Sequence, residues 1–297
     1  CIRDSLDGPP ELFSAAFEPD STYALPDGDT VHVYHQRHHL PEDYPVEYVT
    51  SLAKHLAGMT RAGDAIVLNP AELVGPFVSE YAGQAEIYVA PSTEEELAGI
   101  SADHRRVYLV LGDVEAGQVQ ELPEQWLSLH GFRAAHEWVG GLQLVTYGTV
   151  DGELPLAPAT EVSVSLGDKV LLNGYDLPAG SWQPGDVVPL TLFWRQLTTL
   201  EEDYAVFAHL VDGSGQVVAQ SDTAPAGASR PTSGWSEGEE IVDRHGLLLP
   251  DDLPPGEYVL AVGMYLPATG VRLEMTDPAA ALSPDRITLG RFVVAPP

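Results

Sequence analysis

The chain is predicted to be an α/β domain followed by an all-β domain, on three observations. Strand and helix patterns alternate across residues 46–150. The helical signal then stops at a Pro-containing linker, DGELPLAPAT, at 151–160. From 161 onward, short strands separated by turn residues follow one another to the C-terminus. The predicted architecture is an N-terminal α/β layered domain with a mostly parallel sheet and an edge hairpin. A C-terminal antiparallel β-sandwich of Ig-like or jelly-roll-like form follows it. Residues 1–45 form an extended leader punctuated by Pro9-Pro10, Pro26-Asp27-Gly28-Asp29 and Pro41, with one alternating run at 30–34 as a candidate strand.

In the α/β region, Val49, Leu52, Ala53, Leu56 and Met59 recur at helical spacing, and Arg61-Ala62-Gly63-Asp64 closes that helix. DAIVLN at 64–69 reads as a buried strand, 71–81 as a helix and 85–90 as a strand. A third helix is predicted with Ser92 as N-cap and Glu95 as its capping-box partner. RVYLVL at 106–111 is another buried strand, and 119–130 a helix ended by Gly131. Residues 132–139 and 142–148 form a hairpin around Gly140-Gly141.

In the β region the densest patterning lies in 187–222. Val188, Leu190, Leu192 and Trp194 share one parity, while 204–211 is apolar on both parities except at His209, as in a central strand. Asp212-Gly213-Ser214-Gly215 turns the chain into the next strand at 216–221. Further strands are expected at 161–166, 169–177, 239–249, 256–266 and 286–294.

Charge narrows the function classes. Fourteen Lys and Arg face 44 Asp and Glu, a formal net charge of -30. Such a surface repels phosphate backbones and anionic lipid, which disfavours nucleic-acid partners and polybasic membrane docking. No run approaches the ~20 apolar residues of a membrane helix. The one cysteine is Cys1, so no intrachain disulfide can form. A bacterial lipoprotein begins with its lipid-bearing cysteine, which makes Cys1 a candidate lipidation site.

LNGYDLPAGSWQPGDVVPLTLFW, SRPTSGWSEGEEIVDRHGLLLPDDLPPGEYVLAVGMY and RAGDAIVLNP together resemble the soluble C-terminal region of bacterial multi-pass membrane glycosyltransferases. Those enzymes are similar to the polyprenyl-phosphate-mannose mannosyltransferases. The resemblance spans about residues 44–296 and rests on turns and core strands, which carry a fold better than an activity. It implies an extracytoplasmic location and a role near sugar transfer. The family's catalytic residues lie in its membrane half, so none is carried over.

Candidate sites follow from residue types. The turn Asn69-Pro70-Ala71-Glu72 lacks a glycine-rich phosphate cradle, and no GxGxxG or GxxxxGK[ST] occurs, which argues against a nucleotide. His35, His38 and His39 have the spacing of a zinc or copper site if helical, and that of a solvated loop otherwise. Asp27-Gly28-Asp29 and Asp251-Asp252 are candidate calcium ligands without EF-hand spacing. Gly234-Trp235-Ser236-Glu237-Gly238 matches GxSxG, but a loop precedes it and a strand follows, the reverse of a nucleophile elbow. Carbohydrate binding is expected from Trp182, Trp235 and Tyr265 in or near sandwich loops, with Arg230, Asp243 and Arg244 for hydroxyls. The alternative is that Trp235 anchors its loop by burial while Asp243 and Arg244 pair with each other.

The expectation is a non-catalytic extracytoplasmic binding or assembly module at the cell surface, its partners a glycan or another copy of itself. Subunits would interlock by donating strand 30–34 to a sheet edge. A membrane would be reached only through a lipid on Cys1 or a segment outside this sequence. The alternative is the accessory region of a membrane glycosyltransferase that holds acceptor or sugar.

Overall fold

The computed structural model describes residues 45–112, 122–150, 152–277 and 283–296, together with the backbone of three strands before residue 45. Those strands, β1 (Ile2–Arg3), β2 (Phe17–Ala24) and β3 (Thr30–Gln36), form an antiparallel sheet in the order β1-β3-β2. The segment read as an extended leader therefore carries a sheet. In it β3 pairs with β2 along its length and with β1 only at residues 31 and 32.

Two compact units account for the chain: residues 1–100, 107–125 and 136–145, and residues 101–106, 126–135 and 146–297. In the first unit, α1 (Val46–Met59) buries Tyr48, Val49, Leu52, Ala53 and Leu56 on one stripe. Its C-terminal Thr60 donates Oγ1–H to the Leu56 carbonyl at 2.7 Å and lies 2.7 Å from Tyr81 Oη, just past α2 (Val74–Glu80). This ties the two helix ends together. A short 3-10 turn, Ala71–Leu73, leads into α2.

A five-stranded sheet has the order β5-β4-β6-β8-β7, with β4 (Asp64–Asn69), β5 (Glu86–Val89), β6 (Arg106–Leu111), β7 (Phe132–Val139) and β8 (Leu142–Gly148). Its parallel β4–β5 pair and edge hairpin β7–β8 match the expected pattern. Every residue of β4 and β6 is buried, as strands covered on both faces must be. Ile66, Leu68, Tyr108, Val110, Leu142 and Leu144 share one core with α1 and α2.

The cap of α3 (Glu94–Asp103) lies one residue later than the sequence suggests. Thr93 Oγ1 accepts the Glu96 N–H at 3.2 Å, and Glu96 Oε2 accepts the Ser92 and Thr93 N–H groups at 2.8 and 3.1 Å. The box is Thr93–Glu96 because Glu96, not Glu95, lies three residues beyond the cap. The last helix, α4 (Leu122–His130), is followed by Gly131, whose N–H bonds to the Leu127 carbonyl at 2.8 Å.

In the second unit, two antiparallel four-stranded sheets enclose one core. The first has the order β14-β11-β10-β9 and the second β13-β12-β15-β16. Their strands are β9 (Thr160–Leu166), β10 (Val170–Asp176), β11 (Val187–Gln196), β12 (Ala205–Val211), β13 (Val217–Thr223), β14 (Glu240–Leu248), β15 (Gly256–Tyr265) and β16 (Ile287–Val294). Val188, Leu190, Leu192 and Trp194 of β11 meet Val206, Ala208 and Leu210 of β12 in that core. Phe193, on the opposite parity, is still only 7% exposed. Among the described residues, no helix is long and apolar enough to cross a membrane.

A bulge between Leu172 and Gly174 brings β10 close to the chain that precedes β9. A Cβ on Gly174 would stand 2.5 Å from the Thr160 carbonyl oxygen and 2.5 Å from Pro158 Cβ. Gly174→Ala is expected to cost about 1–3 kcal/mol, as overpacking against backbone does. The urea midpoint should fall with an unchanged slope, while Gly180→Ala, which meets open space, should leave it in place.

Candidate functional site

Strand parity sorts the polar residues of the sandwich into an outward cluster and a sealed one. On β12, Val206, Ala208 and Leu210 enter the core, so Phe207 and His209 face outward. On β15, Leu260, Val262 and Met264 enter the core, so Gly263 and Tyr265 face outward. The register places Phe207 opposite Asp222 on one side and Gly263 on the other.

Phe207 faces outward yet is 1% exposed. Two features seal it. Gly263 leaves room for the ring, since a Cβ there would lie 2.5 Å from Phe207 Cζ. Arg272, from the chain beyond β15, spreads its guanidinium over the ring at 4.3 Å. Asp285 holds Arg272 at 3.1 Å and also accepts the Ser283 hydroxyl.

Around this covered ring lie His209, with ring centroids 4.7 Å apart, and Tyr265, at 6.4 Å. His209 Nε2 is 3.3 Å from both carboxylate oxygens of Asp222, and the two side chains keep 12% and 24% of their exposure. The Ser283 hydroxyl, aided by Arg272, holds the Asp285 carboxyl below the usual range. Burial, reinforced by the charge of Asp222 and offset in part by Arg272, pushes the Tyr265 phenol up. At neutral pH the face therefore offers a neutral tyrosine hydroxyl, one imidazole, one guanidinium and two carboxylates. It can donate and accept hydrogen bonds at several points on a partly exposed surface.

The second cluster is fully internal. Asp243 and His245, two residues apart on β14, both point into the core and are 0% exposed. Asp243 Oδ2 lies 2.8 Å from His245 Nε2 and accepts Trp194 Nε1–H at 3.2 Å, while Oδ1 accepts the Ala226 N–H at 2.8 Å. The acceptor-only carboxylate takes a proton from Nε2, and His245 Nδ1 lies 3.3 Å from Ser221 Oγ, so the ring links Asp243 to Ser221. Ser221, His245 and Asp243 have the residue types of a hydrolytic triad. However, Ser221 is 7% exposed, and the nearby Ala226 N–H is already consumed. What the cluster does is hold the turn at 224–228, where Ala226 takes φ 51 and ψ 45 and Gly227 φ 63 and ψ 33.

The residues nominated for sugar binding do not converge. Trp235 is 5% exposed in the sandwich core and donates Nε1–H to the Arg230 carbonyl at 3.0 Å, so it offers no face for stacking. Trp182 is half-buried and stacks on Phe292 at 6.1 Å. Arg230 pairs with Glu239. Asp243 lies in the core, and Arg244, next along the strand, points to the opposite face, so the two do not pair. Desolvation pulls the half-buried Arg244 guanidinium down, with the charge of Asp243 opposing it. Tyr265 alone lies in the outward cluster.

Ser236, in the GxSxG match, donates its backbone N–H to Glu239 at 2.8 Å in a turn after the 3-10 segment Thr232–Gly234. Cys1, His38, His39 and Asp27-Gly28-Asp29 lie outside the described residues, and of His35 only the backbone, in β3, is described. Asp251 and Asp252 are exposed in the turn before β15. Among the described residues, no three His, Cys, Asp or Glu side chains converge on a metal position.

Sequence reasoning singled out His209 but missed Asp222, Arg272 and Asp285. The tight turn at 212–215 pairs Val211 with Val217, which by itself would set residue 207 opposite 221; a bulge at Leu210/Val211 shifts the register by one and puts 207 opposite 222. No turn residue signals that bulge. Nothing local marks Arg272 and Asp285, which reach the face from beyond β15.

No protein-family model matches the chain, and no curated protein is similar to it. Among solved structures, the crystal structure of the C-terminal domain of wzt is similar at 14% identity and a TM-score of 0.30, covering 48% of this chain and 82% of that one.

Removing the Asp243 carboxylate orphans three buried donors at once. Asp243→Ala is expected to cost about 3–5 kcal/mol, as breaking buried charged networks does; chemical denaturation measures it, and a loss below about 1 kcal/mol would contradict the network. The depressed Asp285 carboxyl adds stability that is full above the ordinary carboxylate range and lost as pH falls through its lowered value. Melting temperature followed from neutral pH into acid should therefore fall less steeply for Asp285→Asn. Asp203, Asp212 and Glu239, also lowered by hydrogen bonds, would retain the remaining slope.

Proposed function

We propose that the chain is a non-catalytic binding module whose ligand is a saccharide held on the outward face of β12, β13 and β15. One observation carries this reading. Tyr265, His209, Asp222, Arg272 and Asp285 gather round one covered aromatic ring and stay within reach of solvent. Sugars are recognised by such surfaces: hydroxyls exchange donors and acceptors with fixed carboxylates and guanidinium, and an aromatic ring edge or face meets the C–H side of the pyranose. Phe207 fixes the positions of the others. The seal over Ser221, His245 and Asp243 supports binding rather than acyl transfer, because a nucleophile must meet its substrate.

The extracytoplasmic, cell-surface setting belongs to the same proposal. It is supported by the resemblance in sequence to the soluble region of membrane glycosyltransferases.

A glycan array followed by calorimetry tests the binding. Tyr265→Ala and Asp222→Asn should each weaken the best glycan about tenfold, the loss expected of one or two hydrogen bonds in a partly exposed site. Arg291→Ala, at the exposed Arg291–Glu257 pair on β16, should change nothing. A protein that binds no glycan, or a Tyr265→Ala variant that binds as well as the parent, would end the proposal.

A further inference from the structure

The five-stranded sheet contains a reversal of direction. From β4 the chain crosses to β5 on one side, and from β5 it crosses by α3 to β6 on the other side of β4. The Gly112 N–H donates to the Asn69 carbonyl at 2.9 Å, and the Ala90 N–H to the Leu68 carbonyl at 2.8 Å. The C-terminal ends of β4, β5 and β6 therefore lie along one edge. In open α/β sheets, the crevice outside the carboxyl ends of strands at such a reversal is where ligands bind.

Asn69 occupies that position as the last residue of β4. Its side chain is 7% exposed, and Nδ2 has no hydrogen-bond partner among the described residues. A buried amide donor left unpaired is destabilising, and native proteins seldom keep one without a use. The orphaned donor and the strand reversal are independent observations at one place.

We propose that this crevice is a ligand site, separate from the sandwich face, in which Asn69 Nδ2 donates to a hydroxyl or carbonyl oxygen of a small uncharged molecule. The absence of charge follows from the edge itself. The described residues after the three strands, 69–73, 90–93 and 112, include Glu72 and no Lys or Arg. The Ala90 and Gly112 N–H groups, which would serve an anion, are already engaged.

The chain has only two asparagines, Asn69 and Asn173, so selective nitrogen-15 asparagine labelling gives two side-chain amide signals. Asn173→Asp, at a partly exposed position in the sandwich, leaves the Asn69 signal alone and assigns it. Acetamide and D-glucose serve as uncharged probes, with acetate and inorganic phosphate as charged ones; acetate matches acetamide in shape. The Asn69 amide signal should shift saturably with at least one uncharged probe and stay in place with both charged ones. An amide signal that no uncharged probe moves, or that acetate moves as far as acetamide does, overturns the proposal. Asn69→Leu provides a second arm. Removing an orphaned donor should leave the melting temperature of the free protein unchanged or higher, whereas a lower one would mean that the amide is bonded within the folded chain.

Discussion

The carboxylate of Asp243 is the constraint on which the sandwich depends. A charge with 0% exposure is tolerable only when its lone pairs are filled, and here Trp194, His245 and the Ala226 N–H fill them. Each donor comes from a different part of the unit. Trp194 belongs to β11 in the same sheet, His245 passes the chain of bonds to Ser221 of the facing sheet, and Ala226 belongs to the connection between β13 and β14. One buried anion thereby fixes how the two sheets face each other at that edge. It also holds a backbone conformation that an alanine adopts only when its surroundings impose it.

Because this network is sealed in the core, the proposed saccharide would meet the sandwich on an outward face. There the organising element is an aromatic ring on the wrong side of its sheet. Phe207 is protected from water by the empty position at Gly263 and by the guanidinium of Arg272, and that guanidinium is in turn held by Asp285. The arrangement converts a hydrophobic liability into a rigid platform for Tyr265, His209 and Asp222. A preorganised polar surface of this kind loses little side-chain freedom when a ligand arrives, which is what makes small hydrogen-bonded ligands bindable. The acidic balance of the whole chain acts in the same direction, since it discourages anionic partners from every face.

Much of the fold was legible because the signals that encode it are local. Helix α1 and hairpin β7–β8 agree with their patterns to the residue, and the buried runs DAIVLN and RVYLVL are strands covered on both faces. The one-residue error at the α3 cap arose because Ser92 and Thr93 are both competent caps, and only the geometry of Glu96 chooses between them. The strands before residue 45 were not legible as a sheet, since Pro and Gly punctuation there outweighs the alternation.

The site divides along the same line. Alternation and turn chemistry in the sequence already determined that Trp194 points inward, that His209 lies on a central strand, and that the turn at 212–215 returns the chain beside it. These are consequences of the two-residue strand period, which a sequence carries intact. Tertiary structure alone decided which nominated residues are available. It buried Trp235 and Asp243, separated Asp243 from Arg244 across the sheet, and brought Arg272 and Asp285 over Phe207. Availability depends on what packs against a residue from elsewhere in the chain, and no local pattern encodes that.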